Sequence, residues 1–564
     1  MLATGALAAD GRHSYVHVIA HADDGLYFQN PELELALRSG RPTVTLCLTG
    51  GESNGINAPD RPGGRRPLGV RGNRQAFVRA RMNGMRRAFA WMATGDENSP
   101  WSIETISLIP GFEAELNTLR AAPHIQAIWL QLCEARAVAV PNPFSLKSLW
   151  VGEENRLPTL PPEESPVQRV QFYRREDVVA SIRAVLDEYR PTVVRTLDPN
   201  PEHKLRQPAD WAAPHHRQVP PLLRLPVYLD HQDHQYSAYF AQEALAGYWS
   251  TPQAPPGTVE HYLGYVNGIL PFNQDAPTTL HKEGVMEVYG WADGHGCGDP
   301  AGCGDRKVGV RGAKGPWARS IRYRAPGSNG WVRRLRDRRL AAFALVSGAP
   351  ACWTETAPGS GRWTGPHRLR GPAGPGGGAL EGQLFALAQP DGRLRLFGVR
   401  TVLAAATAEH RREVVTALQT TTQKPGGPPE FGPWTGLGAP DDVIGGEAAA
   451  VKSMEMGYPV AILDGRHRIR LFARNWEGGV STRTGTIAPA SGAATWGPWT
   501  ALATVHQHRA LTGVMDGLGV ARGGDGRLHV LAAGARGVVH WASVLPDGPC
   551  GPSRRPACRS PPGR

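Results

Sequence analysis

Two short stretches carry the residue types of a reactive site. The first, "AHADD" (20–24), places His21, Asp23 and Asp24 straight after the apolar run "YVHVIA" (15–20). Imidazole beside carboxylate is a ligand pair for a divalent cation, in enzymes most often zinc. His21 and Asp24 are close enough in a tight loop to face one point. The spacing alone is a weak signal, because an Asp after a strand more often caps a turn beside an incidental histidine. The second stretch, "HQDH" (231–234), opens the helical pattern "DHQDHQYSAYFAQEAL" (230–245). His231 and His234 stand one helical turn apart and share a face. Asp233, between them, is placed to hold an imidazole.

These side chains need elements that bring them together. Up to about residue 280, apolar runs alternate with helical patterns. "YVHVIA", "TVTLCLTG" (43–50), "AIWLQL" (127–132) and "TVVRTLDP" (192–199) are short, apolar and β-branched, as strands covered on both faces are. Between them, "NRQAFVRARMNGMRRAFAWMATG" (73–95) and "REDVVASIRAVLDEYRP" (175–191) have apolar residues at helical spacing, with Gly95 and Pro191 as stops. Strands alternating with helices predict an α/β fold, a doubly wound and mostly parallel sheet. In such a sheet ligands bind beyond the carboxyl ends of the strands, which is where "AHADD" falls. The loop after "TVVRTLDP" is long enough to bring "HQDH" to the same rim.

The texture then changes. Residues 290–335 are rich in Gly, Arg and Pro and read as a linker or an irregular edge. Beyond them "QLFALAQPDGRLRLFGVR" (383–400), "YPVAILDGRHRIRLFARN" (458–475) and "GLGVARGGDGRLHVLAAG" (517–534) repeat a strand, a Gly turn and a strand, with a diverged copy at 339–356. Trp363, Trp434 and Trp499 recur between the copies. Four-strand units with a Gly and aromatic signature predict an all-β propeller of four or five blades, with a β-sandwich as the alternative. The tryptophans read as packing between blades before they read as sugar platforms.

With both motifs in order on an α/β pattern, residues 15–250 resemble the zinc-dependent N-deacetylases of the LmbE-like (PIG-L) family, which includes GlcNAc-phosphatidylinositol de-N-acetylase. The family hallmark is AHPDD after the first strand and HPDH much later. Position by position, the resemblance implies that His21, Asp24 and His234 hold the metal, zinc or another divalent ion. It makes Asp23 the general base, gives His231 the leaving amine or the oxyanion, and has Asp233 tune His231. Ala22 replaces the usual Pro, and Gly25 replaces an acid. Family members often have a Glu three residues after an Arg in the following helix. Here Arg81 is followed by Gly84, and Arg81 carries over as a substrate contact only.

The bulk properties set bounds. The chain has 564 residues, 41% of them hydrophobic, and a net charge of +12. Its basic residues are scattered without interleaved aromatics, which argues against a nucleic-acid partner, and no run is long enough for a membrane span. The "ALAA" near the start resembles the end of a signal peptide. Cys297 with Cys303 and Cys550 with Cys558 suit short disulfides in an exported protein, and Cys47 suits a buried hydrophobe. A secreted or cell-envelope location is therefore expected, with the cytoplasm as the alternative. The expected organisation is a tail or signal remnant (1–14), a deacetylase-like domain (15–285), a linker (286–335), propeller-like repeats (336–553) and a tail (554–564). The expected function is a metal-dependent hydrolase that removes an acyl group from an amino-sugar substrate. The alternatives are a carbohydrate-binding protein that holds metal without turnover and a hydrolase of some other amide. Histidines 203, 215 and 216 read as solvated.

Overall fold

The computed structural model describes residues 13–59, 68–135, 143–199, 230–265, 267, 272–308, 315–323, 329–372, 380–402, 411–420, 426–443, 453, 456–475, 479–502, 517–534, 537–543, 548 and 550–552. His203, His215, His216, Cys558 and both expected tails, apart from residues 13 and 14, lie outside the described residues. The chain falls into two compact units, the first ending at Tyr323.

Seven strands form the sheet of the first unit, in the order β3-β4-β5-β2-β1-β8-β9. They are β1 (Tyr15–Ile19), β2 (Thr43–Thr49), β3 (Trp101–Ile109), β4 (Phe112–Leu119), β5 (Ile125–Leu132), β8 (Val193–Leu197) and β9 (Thr258–Tyr262). A separate ribbon pairs β6 (Leu157–Pro158) with β7 (Phe172–Tyr173). The five strands from β5 to β9 run parallel, and the β3–β4 hairpin adds to the β5 edge antiparallel. The sheet is thus mixed. Its edge hairpin was not read in the sequence, because β3 is largely exposed and lacks the apolar run that marks the covered strands.

Among the described residues six α-helices flank the sheet: α1 (Glu32–Arg38), α2 (Arg74–Thr94), α3 (Leu146–Val151), α4 (Arg175–Tyr189), α5 (Gln232–Trp249) and α6 (Ala276–Tyr289). α2 packs with α1 and α6, and α5 packs with α3 and α4. Every residue of β2 is buried. Successive strand residues point to opposite faces, so both faces of the sheet are covered. Asn73 caps α2 by accepting from the Ala76 N–H, and Gly95 ends it with φ +83°, a left-handed value that glycine takes without strain. Because the central strands are parallel, the residues following β1, β2 and β5 leave the sheet on one rim.

The stretch expected to be a linker does not behave as one as far as Tyr323. α6 continues to Tyr289, and the loop behind it is closed by the Cys297–Cys303 disulfide. Asn83 of α2 donates to Gly302 O at 2.7 Å, and Cys303 and Asp305 are buried. Gly and Arg enrichment marked an irregular backbone here, not a loose one.

Among the described residues the second unit holds four antiparallel four-stranded sheets. They are β10–β13 (Val332–Arg334, Leu340–Val346, Ala349–Glu355, Trp363–Arg368), β14–β17 (Leu380–Ala388, Leu394–Val402, Arg411–Leu418, Thr435–Gly436), β18–β21 (Val460–Leu463, Ile469–Arg474, Val480–Ile487, Ala494–Ala501) and β22–β25 (Gly519–Arg522, Leu528–Gly534, Gly537–Ser543, Cys550–Pro552). Each sequence repeat supplies the hairpin of one sheet. Consecutive sheets are tied together. The Trp434 indole donates to Arg370 O at 2.7 Å and that of Trp499 to Leu437 O at 2.8 Å. Cys550 is a buried free thiol, as is Cys47 in the first unit.

Candidate metal centre

The turn after β1 folds back on itself. Asp24 Oδ2 accepts the backbone N–H groups of Ala20 (3.0 Å) and His21 (2.7 Å). This turns Oδ1 toward His21 Nδ1, 3.4 Å away. The first turn of α5 brings His234, whose Nε2 lies 3.0 Å from Asp24 Oδ1 and 3.3 Å from His21 Nδ1. All three side chains are buried. Donor atoms around a tetrahedral zinc with bonds of ~2.0–2.1 Å stand ~3.3 Å apart, so this triangle has the size and chemistry of three ligands.

The electrostatics agree. Burial pushes Asp24 up, but His234 and His21 outweigh it and hold the carboxyl well below the usual range. Burial likewise opposes charge on His234, yet Asp24 and Asp230 lift it to about 10. The pocket is built to surround positive charge. Asp230 Oδ1 fixes the His234 ring by taking Nδ1 at 2.7 Å, and it also accepts the backbone N–H groups of His231 (2.9 Å) and Tyr265 (3.2 Å). A carboxylate behind a ligating imidazole sets its tautomer and raises its basicity.

Asp23 points elsewhere. Its Oδ1 accepts from Arg81 Nη2, and its Oδ2 has no hydrogen-bond partner among the described residues. Arg81 is buried and committed on every side. Nη1 donates to Gly51 O (2.7 Å) and Nε to the Tyr289 hydroxyl (3.0 Å), with Asp305 Oδ2 at 3.4 Å from Nε. The structure therefore places Arg81 as the holder of Asp23. The glycine at 84 also has its reason. A Cβ there would lie 2.4 Å from Tyr289 O and 3.1 Å from Gly304 Cα, so Gly84 admits the loop that delivers Asp305.

His231 caps α5, its Nδ1 accepting the Asp233 N–H at 3.2 Å. Its ring meets that of His21 edge-on at 4.6 Å. Burial and the neighbouring His21 bring its pKa down to about 3. Asp233 Oδ2 accepts the Ala135 N–H (2.8 Å) and stands 3.5 Å from His21 Nε2 and 3.7 Å from His231 Nδ1. It thus faces two imidazoles, where the sequence reading gave it one. His21, Glu134, His231 and Asp233 form a second group with metal-ligand spacing, sharing His21 with the first.

All seven sequence-derived site residues gather at this rim. Glu134, Asp230, Tyr265 and Asp305 join them unread. Asp230 was legible in part, four residues before His234 on the same helical entry. The others come from strand ends and loops whose neighbours only the topology supplies.

No family model matches the chain, and no curated protein matches it. Among solved structures it is similar to the N,N'-diacetylchitobiose deacetylase from Pyrococcus horikoshii, with 13% identity and a TM-score of 0.25 over 49% of this chain and 70% of that one. A protein of unknown function from Dyadobacter fermentans gives 12%, 0.26, 40% and 63%. The α-L-arabinanase of Cellvibrio cellulosa, complexed with arabinohexaose, gives 15%, 0.24, 39% and 71%. Scores this low carry no weight for function, and the chemistry of the site is what a functional reading stands on.

Proposed function

We propose that the first unit is a zinc-dependent hydrolase that removes an acetyl group from an amino-sugar substrate. One observation carries the reading: three buried donor atoms lie 3.0–3.4 Å apart, while the adjacent carboxylate of Asp23 is held out of that triangle by Arg81. His21, Asp24 and His234 would hold the ion. When bound, zinc supplies a Lewis acid for the amide carbonyl and a water acidified toward a pKa of ~7.

The chain's own groups do the rest. Arg81 anchors Asp23 by Oδ1, which leaves Oδ2 to take the proton from the attacking water and return it to the departing nitrogen. His231 Nδ1 accepts a backbone N–H, so the proton of the neutral ring sits on Nε2, the nitrogen that would donate to the oxygen that becomes negative. A protein that only bound sugar would gain nothing from Asp23.

N-acetylglucosaminyl conjugates are the substrate class favoured by the family resemblance. The Cys297–Cys303 disulfide supports an exported protein. Among the described residues no helix is long and apolar enough to cross a membrane. The four sheets of the second unit are read as blades of a propeller-like module. The catalytic domain extends past 285, because Tyr289 and Asp305 complete the setting of Arg81.

The test is to load the full chain with zinc, incubate it with a panel of N-acetylated amino sugars and measure free amine. Release from a glucosaminyl conjugate, lost in Asp23→Asn, is expected. Zinc-loaded protein that releases amine from none of the panel would overturn the reading.

A further inference from the structure

The two nests of metal-ligating side chains share His21, each using a different nitrogen. They differ in what their donor atoms already do. In the triangle, Asp24 receives its backbone N–H bonds on Oδ2, leaving Oδ1 turned to the two imidazoles. The His234 ring is held from behind by Asp230, so Nε2 faces inward. In the second nest the donors are engaged with the backbone. Asp233 Oδ2 takes the Ala135 N–H, and His231 Nδ1 takes the Asp233 N–H. An ion on His231 Nδ1 would have to displace the Asp233 N–H, which takes that nitrogen's one lone pair.

His21 Nε2 is buried between Glu134 Oε2 (3.4 Å) and Asp233 Oδ2 (3.5 Å). Glu134 is itself fixed at the end of β5, where its backbone N–H donates to both carboxylate oxygens of the buried Glu52, at 3.1 and 3.2 Å. We propose that the second nest is no ion site but a clamp, in which Glu134 is a positioning residue that keeps the proton of His21 on Nε2 and so presents the Nδ1 lone pair to the metal. This rests on the proposed zinc site. It puts a carboxylate behind the outer nitrogen of His21, Glu134 at 3.4 Å, as His234 has Asp230 at 2.7 Å. A carboxylate behind a metal-bound imidazole is worth roughly 10- to 100-fold in metal affinity.

Zinc affinity and stoichiometry of the full chain decide it, measured by competition with a chromophoric chelator. Wild type should take up one zinc per chain. Glu134→Ala should raise the zinc Kd by about 10- to 100-fold. Glu134→Gln, which keeps the shape and an acceptor oxygen, should raise it less but measurably. Unchanged Kd in Glu134→Gln overturns the clamp even if the alanine variant does not fold. So does uptake of two zinc ions by wild type and one by Glu134→Gln, which would make the second nest a metal site. Wild type that binds no zinc at all sinks the proposed function instead, a result readable before any variant is compared.

Discussion

Both units bury charged side chains, but they arrange them differently. In the second unit ion pairs recur, each with at least one member partly exposed. Asp337 pairs with Arg339, Asp391 with Arg393 and Asp464 with Arg468, each at the turn of a hairpin. Arg339 extends from its pair to the carbonyls of Glu355, Gly426 and Gly427, and Arg393 reaches Ser491 O. Each copy satisfies its own neighbours, as a fold that must be tied at regular intervals requires. In the first unit the buried charges converge. Residues following β1 and β5, with the start of α5, crowd carboxylates and imidazoles into one place. Crowding of that kind is costly unless something is bound. Periodic charge reads as structure, and convergent charge reads as chemistry.

This contrast can be broken by mutation. The largest effect is expected for His234→Ala, which leaves two ligands. Zinc should be lost at stoichiometric loading and amine release should drop to background. Next, Asp23→Asn should retain zinc while kcat/KM falls ~10²–10⁴-fold, the range for a lost general base. If zinc leaves with Asp23, the two acids have exchanged roles. Asp230→Asn should sit between these in kind, keeping the fold and raising the zinc Kd roughly 10–100-fold.

Effects in the second unit should be smaller and of another sort. Arg339→Ala strips donors from three carbonyls and should cost ~1–3 kcal/mol in chemical denaturation, with zinc affinity unmoved. Trp434→Phe removes one indole hydrogen bond and should cost only ~0.5–1.5 kcal/mol. A change in zinc affinity from either would erase the distinction between periodic and convergent charge.

How much of this was legible follows from distance along the chain. "AHADD" and "HQDH" could be read because each motif is local, and because strand-end placement follows from the α/β pattern. The helix spanning 74–94 announced its own end with Gly95. His17 and His21 show the limit, since both lie in or just after the same strand. His17 is a core residue bonded to Gln29 at 2.6 Å, and nothing local separates it from a ligand. Glu134 was invisible because its role depends on β5 lying beside β2, an order that periodicity does not encode. Asp305 was hidden in a Gly-rich loop that looked like a linker, where only the close approach at Gly84 reveals a packed backbone.

The central claim is that His21, Asp24 and His234 enclose one catalytic zinc, with Asp23 beside it. Elemental analysis of zinc per chain, on wild type, Asp23→Asn and Asp24→Asn prepared side by side, tests it most directly. One zinc in wild type, one in Asp23→Asn and none in Asp24→Asn is the predicted result. Equal zinc in all three proteins, or its loss from Asp23→Asn alone, would contradict it.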